Sequence, residues 1–107
     1  MELKIFWSQL AEDRLQDIFN YYKFKAGIKT ARKIITQIVT KTEILEQQPQ
    51  VGAIDAILSE RLQEFRYLVS TNYKIIYYVN KKDNRIIIAN VFDTRQNPEK
   101  LQEETQS

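Results

Sequence analysis

Arg66, Lys74 and Arg95 are the side chains in this sequence best suited to chemistry on an anion. Arginine offers a planar fork of fixed donors that matches phosphate and carboxylate oxygens, and lysine offers a compact point charge. Arg66 and Lys74 fall in successive β-prone runs joined by the turn Ser70-Thr71-Asn72, so they are expected to be neighbours across a strand ladder. Arg95 follows the last such run, at its C-terminal end. The three are expected to converge on an uncovered sheet face or its rim, where they would suit phosphates or carboxylates. A plain structural role competes at each position. Arg66 can pair with Glu64, Asp93 or a helix C-terminus, Lys74 can be a solvated strand residue, and Arg95 with Asp93 can form a local ion pair that shapes the turn.

The sequence contains no histidine and no cysteine. The usual acid/base near neutral pH and the commonest metal ligand are therefore missing, as are disulfides and thiolate zinc sites. Catalysis would have to run on Lys, Arg, Tyr, Ser/Thr or carboxylates, and neither a metal nor another cofactor is expected. No apolar run approaches the roughly 18–20 residues of a membrane span. The opening MELKIFWSQLAED has an acid at position 2 and lacks the apolar stretch of a secretory signal, so a cytoplasmic protein with no membrane partner is expected. With 43% hydrophobic and 28% charged residues over 107 positions, the expectation is one domain spanning 1–107 around a single modest core.

The net charge of +2 conceals an uneven distribution. From Ile18 to Thr42 there are six bases (Lys23, Lys25, Lys29, Arg32, Lys33 and Lys41) and no acid. From Arg61 to Arg95 seven bases face only Glu64, Asp83 and Asp93. Such zones fit an anionic partner, nucleic acid or an acidic protein segment, although a solvated helix face explains them equally simply.

The elements that position these residues follow from periodicity. Leu3 to Trp7 is a short β-prone run ending at Ser8, a good N-cap. Ala11, Leu15, Ile18 and Tyr22 then mark one face of a helix that is expected to stop at Gly27. A second helix starts at about Ile28 or Lys29, with Ala31, Ile34, Ile35, Ile38, Val39, Thr42 and Leu45 on its apolar stripe, and it ends before Pro49. The short link implies an antiparallel helical hairpin. Residues 50–61 read as a loop with one helical turn. Strands are expected over Leu62–Val69, Tyr73–Val79 and Arg85–Phe92, with a hairpin loop at Asn80–Asn84 and the apolar run IIIANV in a central strand. The tail is expected to fray from about residue 102. The expected fold class is α+β, in the order β-α-α-β-β-β, with the helical hairpin on one face of a small antiparallel or mixed sheet and the other face left more open.

Read together, these segments resemble the RelE/ParE superfamily of bacterial type II toxin–antitoxin toxins over nearly the whole chain. WSQLAEDRLQDIFNYY is similar to the family's first helix. Leu45, Pro49 and Gly52 resemble the segment after its second helix. Arg66, VSTNYKIIYYV and IIIANVFDTRQNPEKL are similar to its ending, in which an Arg, a Tyr-basic-x-x-Tyr run and a strand lead into an Arg-Pro tail. The resemblance implies a small toxin neutralised by a cognate antitoxin, with the β-α-α-β-β-β fold of the family. It implies one of two targets. RelE-like members are ribosome-dependent endoribonucleases that cut mRNA, and ParE-like members inhibit DNA gyrase by binding.

Several residues depart from the nuclease pattern. Asp93 stands where many members carry His, no Tyr follows Arg95, and Arg66 is the only base in the run FRYLV. Phosphodiester cleavage needs a base, an acid and cationic stabilisation, and a carboxylate among the bases would repel phosphate. NYKIIYYV and FDTRQNPEKL are closer to the ParE branch. The resemblance therefore implies a ParE-like gyrase inhibitor, with the RelE-like endoribonuclease as the alternative and an inert antitoxin-binding member as a third reading. On this basis Arg66, Tyr73, Lys74, Arg95, Pro98 and Leu101 are expected to meet target or antitoxin. Arg66, Lys74 and Arg95 are the catalytic set only if the protein is a nuclease.

Overall fold

The computed structural model describes residues 3–105. β1 (Lys4–Trp7) leads through Ser8 into a helical hairpin of α1 (Gln9–Ala26) and α2 (Ile28–Thr42), closed by a 3-10 turn at Glu43–Glu46. There follow β2 (Ala53–Ile54), β3 (Arg66–Ser70), β4 (Tyr73–Asn80), β5 (Arg85–Asp93) and a short α3 (Glu99–Glu104). The strand order is β1-β5-β4-β3-β2, with β1 parallel to β5 and every other pair antiparallel. The sheet is therefore mixed, and the apolar run IIIANV lies in an interior strand as its composition demands.

Local chemistry sets the boundaries. The Ser8 hydroxyl accepts from the Ala11 N–H at 3.1 Å, capping α1, and donates to the Ala89 carbonyl at 3.0 Å, which fastens the helix start to β5. Gly27 ends α1 at φ +98°, a conformation side chains resist, and its N–H returns to the carbonyls of Tyr22 and Lys23. In β5 the register slips by one residue between Asn90 and Ile88, leaving Ala89 as a bulge. Ile86, Ile88 and Val91 can thus all face the helices while Ala89 and Phe92 face the other side.

The core on the helical side gathers Ile18, Ile38, Leu45, Leu68, Ile75, Tyr77 and the inward residues of β5. The opposite face differs from expectation, because it is not open. Leu58 and Phe65 from the 55–65 segment and Leu101 from α3 cover Ile76, Ala89 and Phe92 there. This cover also shortens the second long strand, which begins at Arg66 and not at Leu62: Phe65 turns inward while Leu62 is 98% exposed. Residues 50–61 contribute β2, and the tail expected to fray from about residue 102 carries α3 to Glu104 with Thr105 buried. Asn90 explains that order, because its buried amide donates to the Thr105 hydroxyl at 3.1 Å.

Tyr77 joins the helical half to the sheet. Its ring is fully buried, its hydroxyl donates to the Pro49 carbonyl at 2.7 Å, and it accepts from the Gly52 N–H at 2.9 Å. Burial raises its pKa, so the phenol stays protonated and keeps its donor. Gly52 is required by space: a Cβ there would lie 2.6 Å from the Tyr77 hydroxyl and 2.8 Å from the Tyr67 carbonyl. Tyr77→Phe should lower stability by about 1–3 kcal/mol, because it orphans two backbone groups. Gly52→Ala should cost at least as much through overpacking. Urea unfolding checks both, and an unchanged midpoint for Tyr77→Phe would refute the linking role.

Candidate functional site

The three bases that the sequence places together are held apart by strand register. Arg66 stands opposite Tyr77, on the helical face of the sheet, whereas Lys74 stands opposite Val69, on the other face. The two are separated by an odd step of the pleat, which sends their side chains to opposite sides. Arg95 lies beyond β5, next to the Asp93–Tyr73 pair. The expected convergence of Arg66, Lys74 and Arg95 does not occur.

Each base has its own carboxylate. The Arg66 guanidinium donates to the Gly52 carbonyl at 2.8 Å, to the Gln50 carbonyl at 3.2 Å, to the Gln50 side chain at 2.9 Å and to Glu64 at 3.0 Å. Its fork thus completes the turn that Tyr77 holds. Lys74 reaches the fully buried Asp55 at 2.7 Å and lies 4.2 Å from the centre of the Tyr67 ring. The other oxygen of Asp55 accepts from the N–H groups of Ile57 and Leu58, at 2.8 and 3.2 Å. This buried pair organises the start of the segment that covers the second face.

Arg95 grips Asp93 with two parallel bonds, Nε to Oδ1 at 3.0 Å and Nη2 to Oδ2 at 2.8 Å. Asp93 also accepts from the Arg95 N–H at 2.9 Å and from Asn72 at 3.1 Å. The Arg95 side-chain bond is the main reason the Asp93 carboxyl sits at about 2, well below the usual carboxylate range, against an opposing effect of burial. The same pair pushes the Arg95 guanidinium up. Arg95 is 59% exposed, and among the described residues its Nη1 has no protein partner, so that edge faces outward.

Arg95 and Asp93 border a cleft of about 540 Å³ between α1, the end of β5 and α3, which Tyr73, Arg14, Tyr21 and Lys100 also line. Tyr73 is buried beside Tyr22, their hydroxyls 3.5 Å apart, and burial followed by that neighbour raises its pKa. Of the six residues expected to meet a partner, this cleft brings together only Tyr73 and Arg95. Pro98 is exposed at the start of α3, and Leu101 is fully buried, so Leu101 acts through packing. Sequence reasoning missed Arg14, Tyr21 and Lys100. The signal available for the first two was their seven-residue spacing, two turns on one side of α1. Arg14 also pairs with Asp17 at 3.1 Å and with Glu104 at 3.2 Å, tying α1 to the C-terminal helix. With Asp17, Asp93 and Glu104 facing Arg14, Arg95 and Lys100, the cleft is balanced in charge and does not concentrate cations on a phosphate. Among the described residues no cluster of three or more His, Cys, Asp or Glu side chains is placed to hold a metal ion. No helix among them is long and apolar enough to cross a membrane.

Residues 5–98 match the model of a family described as ParE toxin of type II toxin–antitoxin system, parDE. The fold is similar to a structure of the chromosomal ParDE TA system from P. aeruginosa, with a TM-score of 0.72 and 22% identity over 86% of this chain and 96% of that one. It is also similar to the toxin–antitoxin complex RelBE2 from Mycobacterium tuberculosis, with a TM-score of 0.60 and 14% identity over 87% of this chain and 99% of that one. At these identities the likeness to the two structures is one of fold. Sequence comparison with curated proteins gives no match.

Two outcomes test the pairs. Lys74→Met leaves the Asp55 carboxylate buried without a cation and should destabilise by about 3 kcal/mol, whereas adding Asp55→Asn should restore most of the loss. Urea unfolding of both variants decides, and equal stability of Lys74→Met and wild type would exclude the structural role. For Asp93 the folded pKa lies below the unfolded value of about 3.9, so its contribution is complete above that pH and disappears as pH falls through about 2. The stability gap between wild type and Asp93→Asn should therefore be full at neutral pH and close in strong acid. A gap independent of pH would contradict the pairing.

Proposed function

Because the chain belongs to the ParE toxin family of type II toxin–antitoxin systems, we propose that it is a growth-inhibiting toxin that binds and inhibits DNA gyrase and is neutralised by a cognate antitoxin. The observation that carries this reading is the dispersal of the three bases. Arg66 is spent on the Gln50–Gly52 turn, Lys74 on buried Asp55, and Arg95 on Asp93. A ribosome-dependent endoribonuclease needs its cations gathered on one scissile phosphate, with groups poised to move protons. Neither requirement is met by side chains that point to different sides of the sheet. An inhibitor acting by binding needs only a fixed surface, and a rigid mixed sheet with both faces packed supplies one.

The two similar structures are of a ParDE system and of a RelBE2 toxin–antitoxin complex, which supports a protein antitoxin as partner here. The rim formed by Arg95 and Pro98 is the part of the expected set that remains accessible for target or antitoxin. With gyrase as target, the site of action is the cytoplasm.

Antitoxin-free protein should inhibit gyrase supercoiling while mRNA on programmed ribosomes stays intact. Cleaved mRNA with unaffected supercoiling would overturn the proposal in favour of the endoribonuclease, and inactivity in both assays would favour the inert reading. Arg95→Ala should raise the concentration needed for inhibition by about tenfold, the worth of one charge-assisted contact, without changing the fold.

A further inference from the structure

Six bases on the helical hairpin have no part in the site described above. Lys23 and Lys25 lie in the last turn of α1, Lys29, Arg32 and Lys33 in the first turns of α2, and Lys41 in its last turn. All six are exposed, and none enters a salt bridge among the described residues. The flanking acids do not neutralise them: Asp17 faces Arg14, and Glu43 lies beyond the helix end. Because the chain turns at Gly27 alone, Lys23 and Lys25 of α1 and Lys29, Arg32 and Lys33 of α2 lie at one end of the hairpin, with Lys41 at the far end of α2.

The sequence of α2 sorts its residues into two faces. Ala31, Ile38 and Thr42 are buried against the sheet, with Ile34 and Ile35 packed beside them. Lys29, Arg32, Lys33, Thr36, Gln37 and Thr40 are turned outward. From Lys29 to Lys41 this outer face runs about 18 Å at the helical rise. Cations interleaved with hydroxyl and amide donors, and free of carboxylates, are the side chains that bind phosphate oxygens.

We propose that the outer face of α2, centred on Lys29, Arg32 and Lys33 and extended at the hairpin tip by Lys23 and Lys25, is a docking surface for the phosphate backbone of duplex DNA. Charge complementarity selects this partner. B-DNA presents about one negative charge per 1.7 Å of axis with both strands counted, so the span from Lys29 to Lys41 lies beside a stretch of duplex carrying about ten phosphates. Because α2 is packed against α1 and the sheet, its outer face lies against the phosphate backbone and does not enter a groove. A bilayer would require an apolar stripe alongside the bases. Phe24 is 87% exposed at the hairpin tip, and Ile28 and Val39 are partly exposed along one edge of α2, but the side chains interleaved with its cations on the outer face are Thr36, Gln37 and Thr40. This surface acts through phosphates alone, so its binding is independent of base sequence, and it does not depend on the identity of the toxin's target.

The test is fluorescence anisotropy of the isolated chain with a labelled DNA duplex of about 20 base pairs, titrated between about 50 and 200 mM salt. Wild type should bind with a logarithmic salt slope of about −4 to −5, as five phosphate contacts require. The triple variant Lys29→Gln, Arg32→Gln, Lys33→Gln should lose at least about tenfold in affinity and flatten the slope by about 2.7. Lys81→Gln with Lys82→Gln, on the β4–β5 loop, should bind as wild type does. Circular dichroism verifies that each variant is folded. Absence of duplex binding at the lowest salt, or a triple variant indistinguishable from wild type, would overturn the proposal. Binding to phosphatidylserine vesicles without binding to the duplex would overturn it as well, in favour of a membrane surface.

Discussion

The hydroxyl of Tyr77 is the point on which the two halves of this fold depend. The chain leaves α2 through a 3-10 turn and must reverse at Pro49–Gly52 before it can join the sheet edge. That reversal exposes backbone groups with no ladder to enter, and buried groups of this kind cost more unpaired than they gain when paired. One phenol supplies a donor to Pro49 and an acceptor to Gly52 while its ring fills the core between helices and sheet. Arg66 completes the arrangement from β3 by binding the carbonyls of Gln50 and Gly52. A turn without a side chain at position 52 is needed because the phenol approaches so closely.

From this constraint follows the use made of the charged residues. Fixing the 49–52 turn places β2 against β3, and Asp55 immediately after it is carried under the sheet. A carboxylate buried there is tolerable only with a cation and N–H donors, which Lys74, Ile57 and Leu58 provide. Lys74 is therefore committed to closing the second face, as Arg66 is to closing the first. The structure converts two bases that a phosphate-cleaving centre would need into parts of the scaffold. The bases left exposed lie on the perimeter, among them Arg95 and those of the helical hairpin.

The sequence revealed this arrangement unevenly. The faces of β4 were legible from parity alone, since Tyr73, Ile75, Tyr77 and Val79 do pack together on the helical side. Ser8 and Gly27 marked the ends of α1 because capping chemistry is local. The pairs Arg66–Glu64 and Arg95–Asp93 were also legible, each two residues apart and each weighed as a structural reading. The cover of the second face was not. Leu58, Phe65 and Leu101 carry no shared period, and what joins them is a surface formed only after the sheet exists. The opposed directions of Arg66 and Lys74 depend on the register across the Ser70–Tyr73 turn, and no residue type in the turn announces it. Nor does composition predict the bulge at Ala89, whose carbonyl is taken by the Ser8 hydroxyl of a distant segment.

Two populations of bases thus coexist in a chain whose net charge is only +2. Those with partners are partly or wholly withdrawn from water and behave as structure. Those from Lys23 to Lys41 on the hairpin are left together without acids, and mutual repulsion makes such a cluster unfavourable to stability. The repulsion is tolerable because each side chain is solvated and screened over a Debye length of about 8–10 Å. It is relieved further when an anionic surface approaches, since neighbouring cations that oppose one another in the free protein then act in concert. An arrangement that folding does not need, and slightly opposes, belongs to the surface, where it sets the field met by water, ions and any charged partner.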